Sequence, residues 1–393
     1  MSVAASSPAG QVAEAHPEPT GATPRAEAPW WRVDILAILL LLALACLFYA
    51  PAVFGNQVLL PTDNLLLLPP WSVAAQQLDP GFVTPHNRLI SDLILQNVGW
   101  KRFLADSFRH GQLPLWNPDL QAGTPFLASG QYQALYPFGL LFVLLPVERA
   151  YGYFAALHLF IAGGGVYFLA RTLGYRRVAC LLAAVTFMFS QRLITSVVWP
   201  QMISAMAWIG WILLWMELAL RAARAPGHAL RRGIVIAVVG AGTVALQILS
   251  GHLEISFYVL FTALLYGILR VGADFFEEQS SGLASPTPST QGTDGQRRGP
   301  SRRLRDAAIQ LALLGVMGVG GLGLASAQLV PFSEAIGQNF REGSVTYDEV
   351  SGWAMPARQF VAFVLPDVYG NPAQHDYIDV FNIFSMRRQP IGP

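Results

Sequence analysis

Seven long apolar runs, separated by polar segments, constrain this chain more than any other feature of its sequence. They cover residues 34–54, 151–170, 178–195, 199–219, 233–250, 252–270 and 307–331. An α-helix needs about 20 mostly apolar residues to cross the hydrocarbon core of a bilayer. Charged residues make up only 12% of the chain, about half of the usual share in soluble domains. The sequence therefore predicts an all-α fold, a polytopic bundle of about seven transmembrane helices.

The composition also excludes some classes of protein. The formal net charge is +1, and no block of basic residues is interleaved with aromatic ones, so nothing indicates nucleic-acid binding. The two cysteines, Cys46 and Cys180, each lie inside an apolar run. Such cysteines are typically packing residues, so they predict neither a disulfide nor a metal site.

The apolar runs and the segments between them divide the chain into seven parts. We expect a disordered cytoplasmic tail at 1–29, a first transmembrane helix at 30–54, an extracytoplasmic loop at 55–150, a transmembrane bundle at 151–270, a disordered cytoplasmic linker at 271–306, a last transmembrane helix at 307–331 and an extracytoplasmic segment at 332–393. Within the loop, the apolar stretch 134–146 is too short to cross a membrane and contains Pro137, which predicts a re-entrant or interfacial segment.

The distribution of arginine predicts the orientation. Arginines cluster after the second and fourth apolar runs and around the linker before the seventh, at positions 171, 176, 177, 221, 224, 231, 232, 270, 297, 298, 302, 303 and 305. The short turns on the opposite side hold only Arg192. Short loops rich in arginine face the cytoplasm. We therefore expect a cytoplasmic N-terminus, with the long loop at 55–150 outside.

That loop contains a second kind of pattern, an amphipathic helix predicted from Asn87 to Gly111. On it Asp92, Gln96 and Trp100 are spaced four residues apart and share one face. A carboxylate, an amide and an aromatic ring are typical of a sugar-binding surface. Two alternatives stay open, because the helix dipole alone favours Asp92 beside a Ser cap, and tryptophans also anchor at membrane interfaces.

Other polar residues have both a structural and a functional interpretation. Asp63, followed by Asn, is typical of a turn. The basic residues of the loop can hold lipid headgroups or pair with Asp106. His252 and Glu254 lie between the fifth and sixth runs, near the outer boundary. Ionisable residues at membrane depth often serve function, although these two can also simply reach water.

Several motifs carry a resemblance to a known family. The loop sequence SDLILQNVGWKRF, followed by GQLPLWNPDLQAGTPFLASGQYQALYPF, resembles the first external loop of YfhO-type bacterial membrane proteins. Further matches are QILSGHLEISFY at 247–258, ASAQLVPFSEAI at 325–336 and LPDVYGN at 365–371, so that the resemblance covers most of residues 55–370. Where the family commonly has Gly-His-Pro-Gln, this chain has Gly-His-Leu-Glu at 251–254.

The resemblance implies a fold and an activity. The family is similar to GT-C glycosyltransferases, which take a sugar from a polyprenyl-phosphate carrier at the outer leaflet of the bacterial inner membrane. It implies an external-loop carboxylate as general base, for which Asp92 fits best and Asp63 is the second choice. The candidate substrate-binding residues are Arg88, Gln96, Trp100, Lys101, Arg102, Arg109, Trp116, Asn117, His252 and Glu254, and the bases among them could stabilise the leaving phosphate. A divalent cation is compatible with this chemistry, although no compact acid and histidine cluster in the sequence requires one.

Two other functions compete with the enzyme. A transporter or flippase for lipid-linked glycans would use His252 and Glu254 and would need no external base. A non-catalytic scaffold for envelope assembly would need none of these residues. YfhO-type chains usually continue through several more spans and an external domain, so the sequence can be a fragment of a longer protein.

Overall fold

The computed structural model of the chain describes residues 30–224, 229–280, 300–337, 346–352, 354–355, 357–366 and 368–369. This part of the chain is mostly α-helical, and its sheet is limited to two strands of two residues each. The all-helical prediction is confirmed to that extent. The predicted tail at 1–29 and most of the predicted segment at 332–393 lie outside the described residues.

The helices and strands follow one another along the chain in this order. The α-helices are α1 (Trp30–Phe48), α2 (Ala50–Val53), α3 (Ala75–Leu78), α4 (Val98–Arg109), α5 (Leu141–Leu144), α6 (Val147–Thr172), α7 (Arg177–Met188), α8 (Gln191–Thr195), α9 (Pro200–Ala207), α10 (Ile209–Arg224), α11 (Ala229–Leu249), α12 (Leu253–Ser280), α13 (Pro300–Leu324), α14 (Ser326–Ile336) and α15 (Tyr347–Gly352). The strands β1 (Trp116–Asn117) and β2 (Thr124–Pro125) pair antiparallel. A π-helical turn at Leu93–Asn97 leads directly into α4.

Six helical segments are long and apolar enough to cross a membrane. They are Val147–Thr172, Arg177–Val198, Pro200–Arg224, Leu230–Leu249, Leu253–Phe276 and Arg303–Leu324. These segments coincide with the second to seventh apolar runs of the sequence. The chain is therefore a multi-pass membrane protein.

The first apolar run, predicted as one helix over 34–54, is interrupted. α1 ends at Phe48, Tyr49 has φ −105° and ψ 27°, and α2 begins at Ala50. Pro51 accounts for the break, because proline has no N–H to donate and its ring collides with the carbonyl four residues earlier. The apolar part Asp34–Phe48 is consequently shorter than the other six segments. A seventh crossing there stays a prediction.

The boundaries of the predicted linker need a correction. Residues 271–280 continue α12 and residues 300–306 begin α13, so the described parts of the segment 271–306 are helical. Polar contacts between the two helices explain the extension, because Asp274 is buried and accepts a hydrogen bond from Gln310 (3.1 Å). Residues 281–299 lie outside the described part of the chain. The last predicted helix, 307–331, is in fact two helices that meet at Ala325.

Arginine and carboxylate side chains pair at one end of the bundle, where α6, α10 and α12 finish. Asp34, at the start of α1, lies 3.4 Å from Arg171 and 3.3 Å from Arg177. Glu217 of α10 is fully buried and pairs with Arg270 of α12 at 3.1 Å. Buried carboxylates are tolerated only when several donors satisfy them. The predicted arginine-rich face is thus a set of ion pairs that joins the helix ends.

Glycine allows the closest approaches between the membrane helices. A Cβ on Gly210 of α10 would lie 2.6 Å from the backbone of Gly165 in α6. A Cβ on Gly321 of α13 would lie 2.4 Å from the side chain of Val244 in α11. The small-residue run at 315–327 therefore serves in part for close helix packing, as its composition predicts.

Candidate functional site

The long loop between α2 and α6 folds onto the end of the bundle opposite the arginine ion pairs. It has a small core of its own, formed by the buried side chains of Leu104, Phe126, Leu127 and Ala134. The side-chain amide of Gln133 joins it to the bundle by donating to Ser204 Oγ and to the carbonyl of Ser250, both at 2.8 Å. The loop is therefore fixed to the helices by buried polar contacts.

Within this loop, α4 and the β1–β2 hairpin enclose a cleft of about 690 Å³. Ligand-binding pockets commonly have volumes of roughly 300–1,000 Å³. Its walls are Leu95, Gln96, Gly99, Trp100, Arg102, Phe103, Asp106, Asn117, Asp119, Leu120, Gln121, Thr124 and Tyr132. The cleft combines aromatic surface with carboxylates, amides and a hydroxyl, which is the set of groups that a polar ring-shaped ligand requires.

The hairpin owes its shape to the sequence WNPDLQAGTP at 116–125. Asn117 is buried, and its side-chain oxygen accepts from the backbone N–H of Asp119 at 3.0 Å, which starts the turn. Gly123 has φ +114°, and a Cβ there would lie 2.7 Å from the indole of Trp116. Only glycine satisfies both conditions without strain. Trp116 thus packs across the turn with 55% of its surface exposed.

Two aromatic rings, Trp100 and Tyr132, line the floor of the cleft, and the buried ring of Phe126 packs against Tyr132. The ring of Trp100 lies 4.6 Å from that of Tyr132, and Tyr132 lies 4.3 Å from Phe126. Burial raises the pKa of the Tyr132 hydroxyl, so it stays a neutral donor at physiological pH. These tertiary contacts support Trp100 as part of the cleft wall.

Asp92 lies just behind this wall, between the loop and the bundle. Its Oδ1 accepts from the side-chain amide of Gln96 at 3.2 Å, and its Oδ2 accepts from the indole N–H of Trp199 at 3.4 Å. Gln96 itself lines the cleft, and Trp199 precedes α9 of the bundle. The predicted shared face of Asp92, Gln96 and Trp100 therefore exists, with Asp92 at its inner end.

Asp63 does not line the cleft and has a structural role. Its Oδ2 accepts from the backbone N–H of His86 at 2.8 Å and lies 3.0 Å from the His86 imidazole. Partial burial raises the pKa of Asp63, but the contacts with His86 lower it by more than burial raises it. The pKa of Asp63 is therefore below its usual value. Asp63 therefore ties the first turn of the loop to residue 86.

The basic residues of the loop divide into engaged and free ones. Arg102 Nε donates to Glu148 at 3.0 Å, and Arg109 donates to the carbonyl of Val143 at 2.9 Å. Arg88 is half-buried and has no hydrogen bond or ion pair within the described residues. Arg102 also lines the cleft. Arg88 is therefore a loop base with no partner among the described residues, and Arg102 is the loop base that lines the cleft while pairing with Glu148.

Lys101 corrects the prediction made from the sequence. Its side chain is buried (1% exposed), and its Nζ donates to Gln133 Oε1 at 2.6 Å and to the carbonyl of Tyr132 at 3.1 Å. Burial lowers the pKa of this amine from 10.5 to about 7. Lys101 follows Trp100 by one residue, which is about 100° around the helix. Its side chain therefore points into the loop core instead of the cleft. Lys101 therefore supports the floor of the cleft and does not face a ligand.

His252 and Glu254 also have local roles. The imidazole Nδ1 of His252 accepts from the backbone N–H of Ile255 at 3.2 Å and so satisfies a donor at the start of α12. Burial lowers the pKa of His252, which keeps the imidazole neutral and able to accept. Glu254 is exposed and accepts from the hydroxyl of Tyr258 at 3.2 Å. Neither residue lines the cleft.

Several cleft residues could not be identified from the sequence. Asp106 lies four residues after Arg102 and three after Phe103, both of which line the cleft, so its helical spacing was a recognisable signal. Asp119, Gln121 and Thr124 reach the cleft only because the hairpin folds back over α4. No local pattern indicates that approach.

The described residues contain no group of three or more His, Cys, Asp or Glu side chains that could hold a metal ion. Comparison with protein-family models, with curated proteins and with solved structures gives no match to this chain. The resemblance to YfhO-type proteins consequently stays a prediction from the motifs.

Proposed function

We propose that the protein is a membrane glycosyltransferase that transfers a sugar from a polyprenyl-phosphate donor to an acceptor of the cell envelope. The observation that supports this proposal is the cleft of about 690 Å³, in which Trp100 and Tyr132 lie beside Asp106 and Asp119. Aromatic faces suit the apolar side of a sugar ring, and carboxylates accept hydrogen bonds from its hydroxyls. The bilayer supplies the site for the polyprenyl chain.

Asp92 is the proposed general base. The acceptor hydroxyl attacks the anomeric carbon, the bond from that carbon to the phosphate oxygen breaks, and the hydroxyl proton passes to Asp92. A single displacement of this kind inverts the configuration at the anomeric carbon. The two hydrogen bonds to Asp92, from Gln96 and Trp199, orient the carboxylate and leave it further lone pairs to receive the proton. A positioned base contributes typically about 10²–10⁴-fold to the rate.

The leaving polyprenyl phosphate carries negative charge and needs a cation nearby. Arg88 is the proposed partner, because it has no other ion pair within the described residues. It begins the same helical segment as Asp92, one turn before it. Fixed positive charge at a leaving phosphate lowers the barrier without reorganisation.

The test is sugar transfer in proteoliposomes that contain a radiolabelled polyprenyl-phosphate hexose and envelope glycan acceptors. Asp92→Asn should lower the rate by about 10²-fold or more, while the matched control Asp79→Asn should leave it unchanged. Asp79 is exposed on the same loop and lies outside the cleft. Full activity of Asp92→Asn would remove Asp92 as the base. Glycan movement across the bilayer without transfer would instead support a transporter.

A further inference from the structure

A second cavity lies within the membrane-spanning part of the bundle. It has a volume of about 410 Å³ and lies between α10, α12 and α13, with Val244 of α11 at its back. Every residue that lines it is apolar or glycine. Along α13 it extends from Leu311 to Leu322, which is about 16 Å at a rise of 1.5 Å per residue. The cavity is therefore a groove about three helical turns long.

Glycines keep this groove open. A Cβ placed on Gly315 or on Gly318 would meet no atom within 4 Å, although both residues line the groove. On α12, by contrast, a Cβ on Gly267 would lie 3.0 Å from Met216. The open glycines differ from Gly321 of the same helix, where α11 fills the space. The groove is thus a gap in the helix packing that these glycines line, and an elongated apolar chain fits it.

One end of the groove meets the arginine ion pairs. Met216 and Ile268 line the groove, and the next charged residues along their helices are Glu217 and Arg270. On α13, Leu311 follows Gln310, which bonds to Asp274 of the same charged cluster. On all three helices, α10, α12 and α13, the apolar groove therefore ends where this charged cluster begins.

Three arginines of this charged cluster share two carboxylates within the described residues. Arg221 and Arg270 both pair with Glu217, and Arg224 and Arg270 both pair with Asp274. The side chain of Arg221 is 48% exposed, and its bond to Glu217 uses only Nε. An anionic group at this end would find a cation that is only partly neutralised.

We propose that the groove binds one acyl chain of an anionic phospholipid, whose phosphate lies at the arginine end of the bundle. The chain itself gains little on leaving the bilayer, because lipid tails are as apolar as the groove. The headgroup therefore decides the preference among lipids. The inference is independent of the proposed sugar transfer, because it concerns the opposite end of the bundle.

Native mass spectrometry of the purified full chain, supplied with equal amounts of phosphatidylglycerol and phosphatidylcholine, tests the proposal. The wild type should retain about fivefold more phosphatidylglycerol, a ratio that corresponds to about 1 kcal/mol for a basic residue at the membrane surface. Gly318→Leu fills the groove and should lose the retained lipid, and Gly315→Leu should do the same.

Gly323→Leu is the matched control. Gly323 lies on the same helix and also has no atom within 4 Å of a Cβ, but it does not line the groove. This variant should retain lipid like the wild type, and equal melting temperatures of the three variants show that each one folds. Undiminished lipid on both Gly315→Leu and Gly318→Leu, or equal retention of the two phospholipids by the wild type, would overturn the proposal.

Discussion

Lys101 gives the sharpest prediction about stability. It is the only lysine in the sequence, and it is buried with two oxygen acceptors, on Gln133 and Tyr132. A neutral amine has two N–H donors and so satisfies both acceptors without burying a charge. Because arginine stays charged at all accessible pH values and lysine does not, lysine is suited to this position. Lys101→Met should therefore remove a pH dependence that the wild type shows.

The size of the effect follows from the pKa of Lys101. Burial lowers that pKa from 10.5 to about 7, a difference of about 3.5 units. Each unit corresponds to about 1.36 kcal/mol, so the full difference corresponds to about 5 kcal/mol. Between these two pH values the unfolded chain holds a proton that the folded chain lacks. The free energy of unfolding of the wild type should therefore rise steadily as the pH increases from about 7 to 10.5.

Thermal unfolding in detergent between pH 7.5 and 9.5 measures this slope. The wild type should gain about 1.4 kcal/mol per pH unit relative to Lys101→Met, or roughly 3–6 °C in melting temperature per pH unit at about 2–4 °C per kcal/mol. Arg102→Met is the matched control, since its exposed guanidinium stays charged throughout and its curve should run parallel to the wild type. Parallel curves for the wild type and Lys101→Met would refute a buried neutral amine.

Three further substitutions test other parts of the structure. Gly123→Ala should lower the free energy of unfolding by about 1–3 kcal/mol, visible in the melting temperature, because the new Cβ meets the Trp116 indole at a positive φ. Asp63→Asn should unfold more easily than the wild type at pH 7, and this difference should shrink as the pH falls below 3.8 and through the lowered pKa of Asp63, because the contacts with His86 stabilise the ionised carboxylate. Glu217→Gln should cost about 1.5–3 kcal/mol by removing the buried charge that pairs with Arg221 and Arg270, which a thermal melt in detergent would register.

The membrane helices could be predicted from the sequence because a span is a local property. Twenty apolar residues identify it without knowledge of its neighbours. The errors occurred where a tertiary contact or a proline intervened. Pro51 ends α1 early, and the bond between Gln310 and Asp274 extends two helices into a segment whose composition predicts disorder.

The candidate site was predictable only in part. The spacing of Asp92, Gln96 and Trp100 identified the α4 side of the cleft, because helical periodicity is also local. The opposite wall depends on the return of the hairpin, which brings Asp119 next to the helix through contacts between distant residues. Lys101 shows the same limit, since its charge suggests a surface residue and only the folded loop reveals its burial.

The account depends most on the face of the membrane to which the cleft opens. Two cysteine variants, Gln112→Cys and Ser301→Cys, test this face. Gln112 is exposed just after the end of α4, and Ser301 is exposed at the start of α13, at the other end of the bundle. Each is treated with a membrane-impermeant maleimide in intact cells, with the wild type as the control for Cys46 and Cys180. The account predicts labelling of Gln112→Cys in intact cells and of Ser301→Cys only after lysis. The reverse pattern would contradict it.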